Sequence, residues 1–352
     1  MRIMIVSDAW LPQTNGVVST LSHTAACLRR FGHDVRLTVP ADFRTVPCPS
    51  YPEIRIAVHP GPRVARTFAA FAPQAVHIAT EGPLGLAARR YCLTHGWRFT
   101  TSYHTQFPQY LRSRWPGPVR VTYALLRRFH APASACMVST EGVRRELAAR
   151  GFQNLVRWRR GVDTELFRPR PKDFLDLPRP IAAYVGRLAV EKNVEAFLGM
   201  AWHGTRLVIG DGPERERLQA RFPDAVYVGY RYGEDLAAHL AAADVLVFPS
   251  RTDTFGLVNL EAMACGVPVA AYPVTGPIDV VEDGVTGALD TDLARAAQRA
   301  LRVDPAACRA RALRSGWDAC TREFEGHLAC LQPASAGRFT PRHALPEGST
   351  GA

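Results

Sequence analysis

Short apolar runs alternate with longer stretches carrying apolar residues at helical spacing, and the alternation repeats along most of the chain. Ile3–Ser7, Val35–Val39, Ala75–Ala79, Thr100–Tyr103 and Ala135–Ser139 read as buried strands. Helical periodicity falls on Val17–Arg30, Leu84–Thr94 and Glu141–Arg150. The segment FRPRPKDFLDLPRP, Phe167–Pro180, is dense in proline and charge and has no period, which marks it as an interdomain linker. Beyond it the alternation resumes with strands Ile181–Val185, Arg206–Ile209, Ala225–Val228, Val245–Phe248 and Pro268–Ala271. Helices are expected at Asp235–Ala243 and Leu257–Cys265. Strand–helix alternation of this kind means α/β architecture with parallel sheets and helices on both faces. Two doubly wound domains are expected, over residues 1–166 and 181–331, with the last helix a candidate to pack back on the first. Ligands of open parallel sheets lie beyond the carboxyl ends of the strands, so two such sheets facing each other would share one cleft. The polar tail from Gln332 to Ala352 is rich in Gly, Pro and Ser and is expected to be disordered.

The 352 residues, 47% of them apolar, suffice for two domains of ordinary size. No run approaches the roughly 18 apolar residues of a membrane-spanning helix. MRIMIVSDAW reads as a short strand rather than a signal peptide, so a cytosolic location is expected. Eight cysteines are scattered without a Cys-x-x-Cys pair, which indicates neither a zinc site nor a redox motif. They read as small buried hydrophobes. The net charge is +11 and almost all of the positive charge is arginine, with Lys172 and Lys192 as the two lysines. A basic balance suits nucleic acid, a nucleotide phosphate or an anionic membrane face. No basic run interleaved with stacking aromatics resembles a nucleic-acid module, so no nucleic-acid partner is expected.

Candidate chemistry gathers in three places. After the first strand, Asn15-Gly16 opens a helix, where backbone N–H groups and the helix dipole favour an anion; taken alone, a tight turn is the plainer account of the glycine. After strand Ile181–Val185, the loop GRLAVEKN carries Arg187 and Lys192, which can converge on a diphosphate: arginine as a two-pronged donor, lysine as a point charge. Two solvated loop charges paired with Glu191 or Glu195 are the bland alternative. The third place is SRTDTFGLVNLEAMACGVPVAA, Ser250–Ala271, which enters a helix at about Phe255. Asp253 precedes that helix and Glu261 lies about two turns further on, so both can address a ligand at its N-terminal end. Asp253 also fits an ordinary N-cap. Glu261 sits among Leu257, Leu260, Met263 and Ala264, where a carboxylate needs a partner.

These residues carry a family resemblance. The Gly16 loop, the Gly-Arg…Lys-Asn segment, the Gly210-Asp-Gly-Pro213 turn and the LEAMACGVPV segment together resemble the retaining glycosyltransferases of family four, which have the GT-B fold. The resemblance covers about residues 1–330, although Asp253 stands where the family usually has the first of two glutamates. It implies that Arg187 and Lys192 hold the donor diphosphate, and that Glu261 binds the ribose hydroxyls. Asp253 would contact the transferred sugar and Gly16 would offer backbone donors. Thr254, Phe255, Gly256 and Leu257 would complete the donor site. His104, in TSYHTQFPQYL, occupies the place of a histidine that touches the sugar in the family; alone it reads as a structural hydrogen-bonder. The resemblance implies no metal and no cofactor, and acceptor attack from the face that the diphosphate leaves. Asp290-Thr-Asp292 spells Asp-x-Asp, but its place just before a helical segment at Leu293 reads as capping.

NGVVSTL, ATEGPLG, SYHTQFPQYL and RRGVDTELF also resemble a bacterial branch that glycosylates diacylglycerol or uses GDP-mannose. The expected donor is a UDP-hexose or GDP-mannose. The leading acceptor is a membrane lipid such as diacylglycerol; the alternative is mannosyl transfer to another lipid-linked or soluble glycan. Leu111–Phe129 combines five arginines with Trp115 and Tyr123, a basic amphipathic stretch suited to an anionic membrane surface, or to an ordinary surface helix. Peripheral attachment to the inner face of the plasma membrane follows from the first reading. A nicotinamide dehydrogenase is disfavoured, because Gly210-Asp211-Gly212 lacks the third glycine of the dinucleotide turn. A silent nucleotide-sugar-binding protein and an epimerase of the same fold are the remaining alternatives.

Overall fold

The computed structural model describes residues 1–13, 15–48, 51–104 and 119–330. The tail Gln332–Ala352 and the first part of the Leu111–Phe129 stretch, including Trp115, lie outside the described residues.

The first sheet contains strands β1 (Arg2–Val6), β2 (Asp34–Thr38), β5 (Ala75–Ile78), β6 (Thr100–Tyr103), β7 (Ala135–Val138) and β8 (Leu155–Arg157). They lie in the order β2-β1-β5-β6-β7-β8, all parallel. The second sheet contains β9 (Ile181–Val185), β10 (Thr205–Ile209), β11 (Val226–Gly229), β12 (Val245–Phe248), β13 (Val269–Ala271) and β14 (Gly287–Leu289). Its order, β11-β10-β9-β12-β13-β14, is that of a dinucleotide-binding sheet. The central strands are short and buried on both faces because helices cover both sides of each sheet; the edge strands β2 and β8 are partly exposed. An antiparallel hairpin, β3 (Thr45–Cys48) and β4 (Tyr51–Ala57), stands apart from the two main sheets.

In each sheet the strand order reverses beside the first strand, between β1 and β5 and between β9 and β12. A crevice opens at such switch points, beyond the carboxyl ends of the strands. The two crevices face each other. Ser139, just past β7, donates to the carbonyl of Thr254 at 2.9 Å, and Thr254 Oγ1 donates to the carbonyl of His104, just past β6, at 2.8 Å. The backbone N–H of Gly142 meets the Asp279 carboxylate at 3.1 Å and 3.2 Å.

The chain ends where it began. Helix Trp317–His327 lies against helix Gly16–Arg30, with Trp317, Cys320 and Phe324 in one core with Ile3, Leu21, Leu28 and the fully buried Trp158. Trp317 stacks on His23 with ring centroids 4.6 Å apart. Six cysteines are buried, Cys48 is half-buried and Cys330 is exposed, so the reading of all eight as core residues is corrected at those two.

Candidate active site

The two loops at the second switch point are tied together by polar side chains. After β9 the chain runs through Gly186–Ala189 into a short 3-10 turn, Val190–Lys192, and then Asn193, which adopts a left-handed conformation. Asn193 Nδ2 donates to the carbonyl of Pro249, just past β12, at 3.1 Å. Beneath this loop lies Gly210, with φ of +150°; a Cβ there would stand 1.9 Å from the carbonyl oxygen of Gly186. The Gly-Asp-Gly-Pro turn is therefore a crossing of two backbones, clamped by the Leu188 N–H on the Asp211 carbonyl at 2.8 Å.

Lys192 Nζ lies 2.6 Å and 2.9 Å from the two carboxylate oxygens of Asp253, and both side chains are largely shielded, at 25% and 15% exposure. Asp253 does not cap the helix that follows. That helix spans Leu257–Ala264 and starts where its apolar periodicity puts it rather than at Phe255, because Gly256 at φ of 79° forms its N-cap. No side chain caps it; Asn259 N–H donates to the Gly256 carbonyl at 3.0 Å, and the N–H groups of Leu257 and Val258 are the ones placed for a ligand. Glu261, on the same helix, has no side-chain partner among the described residues. It keeps some solvent access, yet burial pushes its carboxyl up to about 7.

A second helix start arrives from the first sheet. Asn15 Oδ1 accepts from the N–H groups of Val17 and Val18, both at 3.0 Å, and the helix begins at Gly16. A Cβ on Gly16 would lie 3.6 Å from Leu257 Cδ1, the first residue of the opposing helix. Two helix N-termini thus meet across the cleft, and their partial positive charges add there.

His104 has both ring nitrogens engaged. The buried Arg160 donates through Nη2 to Nδ1 at 3.2 Å, and Nε2 lies 2.8 Å from Ser102 Oγ. Arginine only donates, so Nδ1 accepts and the ring proton sits on Nε2. Burial, reinforced by the Arg160 charge, holds the His104 pKa well below its ordinary value, so the ring is neutral. Ser102 leads on to the buried His77 at 3.1 Å, whose pKa burial lowers to about 3, and His77 to Thr100 at 2.9 Å.

The fold brings Gly16, His104, Arg187, Lys192, Asp253, Thr254, Gly256, Leu257 and Glu261 to the facing ends of the two sheets. Phe255 is part of the packing beneath them, against the second sheet's core. Sequence reasoning missed Arg160, Ser102, Ser139 and Asp279. Each is a polar residue at or just beyond a strand or helix end, a signal that becomes specific only when the strands are placed side by side. Asp292 caps the helix at Leu293, accepting from Ala294 and Arg295 at 2.9 Å and 3.2 Å, and Asp290 pairs with Arg295.

The residue pattern matches two family models, "Glycosyltransferase Family 4" over residues 14–166 and "Glycosyl transferases group 1" over residues 179–303. A GDP-mannose-dependent alpha-mannosyltransferase of Mycobacterium tuberculosis is 34% identical over 315 residues, 82% of this chain and 83% of that protein. The chain belongs to the family-four glycosyltransferases. The plant sulfoquinovosyl transferase of Arabidopsis thaliana is 31% identical over 266 residues, 70% of this chain and 52% of that protein. Among solved structures, Anabaena HepE in complex with UDP and glucose superposes with a TM-score of 0.71 at 16% identity, over 93% of this chain and 98% of that one. A sucrose-phosphate synthase from Thermosynechococcus elongatus gives a TM-score of 0.74 at 22% identity, over 92% and 97%. These superpositions identify the glycosyltransferase's fold as GT-B.

Proposed function

We propose that this glycosyltransferase moves a mannosyl group from GDP-mannose to a hydroxyl of a lipid or glycan, with retention of the α configuration and without a metal ion. The observation that carries the reading is the meeting of two helix N-termini, at Gly16 and Leu257, beside the Lys192–Asp253 pair. That arrangement suits a diphosphate: the helix ends, Arg187 and Lys192 neutralise the charge that grows on the departing nucleotide. They supply from side chains and backbone what a divalent cation supplies in other transferases. Asp253, released from Lys192 when the diphosphate takes the ammonium, binds hydroxyls of the transferred sugar. Glu261 binds the ribose hydroxyls, and His104 presents its Nε2–H to the sugar in exchange for Ser102. The first unit receives the acceptor and the second the nucleotide. The bond to the diphosphate breaks as the acceptor oxygen arrives on the same face, and the acceptor's proton passes to the leaving phosphate.

The mannosyl donor is favoured over a UDP-hexose by the relatives that match across four-fifths of the chain. A second reading, hexosyl transfer to diacylglycerol at a membrane, has its own support. Helix Val119–His130 exposes Val121 and Leu125, one turn apart, at 53% and 63%, beside Arg120, Arg127 and Arg128. Such a face suits an anionic lipid surface. Among the described residues no helix is long and apolar enough to cross a membrane.

The test incubates purified protein with GDP-mannose, UDP-glucose, UDP-galactose or UDP-glucuronate, in the presence of EDTA, with diacylglycerol vesicles or mannoside acceptors. Mass spectrometry identifies the product and NMR its anomeric configuration. An α-mannoside from GDP-mannose is expected. A β-linked product, or turnover that requires added metal, would refute the mechanism.

A further inference from the structure

The crevice of the first sheet, between the loops after β1 and β5, holds two carboxylates in unequal situations. Asp8, after β1, is used up: Oδ1 accepts from Leu84 N–H at 2.8 Å, and Oδ2 accepts from Thr80 Oγ1 at 2.8 Å and Gly85 N–H at 3.1 Å. It caps helix Pro83–Thr94 from outside, since Gly82 has no side chain to do so. Glu81, after β5, has no such structural employment. Its Oε1 meets Nε2 of the fully buried His130 at 3.1 Å, while Oε2 has no partner among the described residues and the side chain is 15% exposed. His130 is held in turn by Thr101 Oγ1 at 2.9 Å. Burial alone would lower the His130 pKa, but Cys136 and the Glu81 carboxylate outweigh it and push it up to about 10.

A buried ion pair is a poor way to stabilise a fold, since apolar residues of similar volume serve as well or better. This one lies at a switch point, where an open parallel sheet binds its ligand. The neighbouring strand β6 delivers His104, which touches the donor loop through Thr254. On the reading proposed above, the second sheet takes the nucleotide. What reaches Glu81 is therefore the other substrate.

We infer that Glu81, braced by His130 through Oε1, binds a hydroxyl of the acceptor through Oε2 and selects acceptors whose reacting end is an uncharged polyol or alcohol over phosphorylated ones. The inference rests on the glycosyltransferase reading above. Glu81 takes no proton, because the proton of the attacking hydroxyl goes to the leaving phosphate. A phosphate placed against Oε2 would meet the carboxylate's charge, which the buried His130 at Oε1 offsets only in part.

The test measures transfer from GDP-mannose to matched acceptors: methyl α-mannoside against mannose 6-phosphate, myo-inositol against myo-inositol 1-phosphate, and diacylglycerol vesicles against phosphatidate vesicles. Release of GDP in the absence of acceptor is followed in parallel. The neutral member of a pair is expected to be used at least tenfold better. Glu81→Gln, close to isosteric, is expected to lower kcat/KM for that acceptor about 100-fold, the scale of losing one charge-assisted contact. Acceptor-independent GDP release by that variant should stay within about threefold of wild type. Glu81→Asp, which keeps the charge but draws it back, should raise the acceptor KM more than it lowers kcat, and carries the test if the glutamine variant does not fold. Preference for the phosphorylated partners, an undiminished acceptor kcat/KM in Glu81→Gln, or an equal loss of GDP release would each overturn the proposal. Wild-type protein that releases neither GDP nor UDP from any of the four donors, with or without acceptor, would overturn the glycosyltransferase reading itself, an outcome distinct from loss of acceptor use in the Glu81 variants alone.

Discussion

Lys192 shows most directly how a sequence position becomes chemistry. In a chain that otherwise uses arginine, a compact ammonium stands where a carboxylate and a phosphate can compete for it. Lys192→Ala should lower kcat by two to three orders of magnitude in a donor-turnover assay, the loss expected for one transition-state stabiliser. Because Lys192 and Asp253 act as a pair, Lys192→Ala combined with Asp253→Asn should cost less than the sum of the single changes. Glu261 gives a prediction with a sign. Its folded pKa of about 7 exceeds the ordinary glutamate value of 4.5, so the folded state binds the extra proton and stability falls as pH rises from about 4.5 to 7. Glu261→Gln should therefore melt at least about 2 °C above wild type at pH 8 and level with it at pH 4. Donor affinity of the wild type should tighten as pH rises toward 7 and then level off, while the variant binds weakly and without that trend. Isothermal titration at stepped pH separates the two. The sequence pointed to these side chains by type and position, but not to their partners. Lys192 finds Asp253 61 residues away, and His104 finds Arg160 56 residues away. Such pairings exist only after strands far apart in sequence are laid side by side.

At the scale of elements, the apolar strands were legible because all-buried parallel strands read as continuous hydrophobic runs. Ile181–Val185 and Val245–Phe248 begin and end where the pattern puts them. The hairpin β3–β4 escaped the same reading. Its first strand, Thr45–Cys48, has no buried residue and contains Pro47, so it carries no apolar periodicity. Helix Gly61–Phe71 buries Val64 and Phe68 alone and opens on glycine and proline, which disguises it as a loop. That helix Leu257–Ala264 begins there and not at Phe255 has a local cause: the left-handed Gly256 holds the chain out of helical geometry up to that point. The crossing at Gly210 supplies the test at this scale. Gly210→Ala places a methyl group against the Gly186 carbonyl and must displace the loop that carries Arg187 and Lys192. Donor affinity measured by titration should drop at least tenfold, and melting by circular dichroism should fall by several degrees.

For the whole molecule, the cleft depends on polar contacts between the two sheets. Thr254 is gripped from the first unit by Ser139 and by the His104 carbonyl, and Asp279 reaches the first unit at Gly142. Thr254→Val removes one such hydrogen bond without changing the donor loop's length, and should raise the donor KM about tenfold while leaving the melting temperature within about 2 °C. A fragment ending at residue 166 should aggregate when expressed alone, because Trp317, Cys320, Phe324 and Leu328 complete its core from the far end of the sequence. That return journey has a mechanical result. The chain leaves the first unit near Val162 and comes back near Ser315, and the two passages run side by side, with Val162 N–H on the Ser315 carbonyl at 2.8 Å. Paired tethers yield to tilting and resist torsion. Side by side, they favour the alignment in which Gly16 stands opposite Leu257.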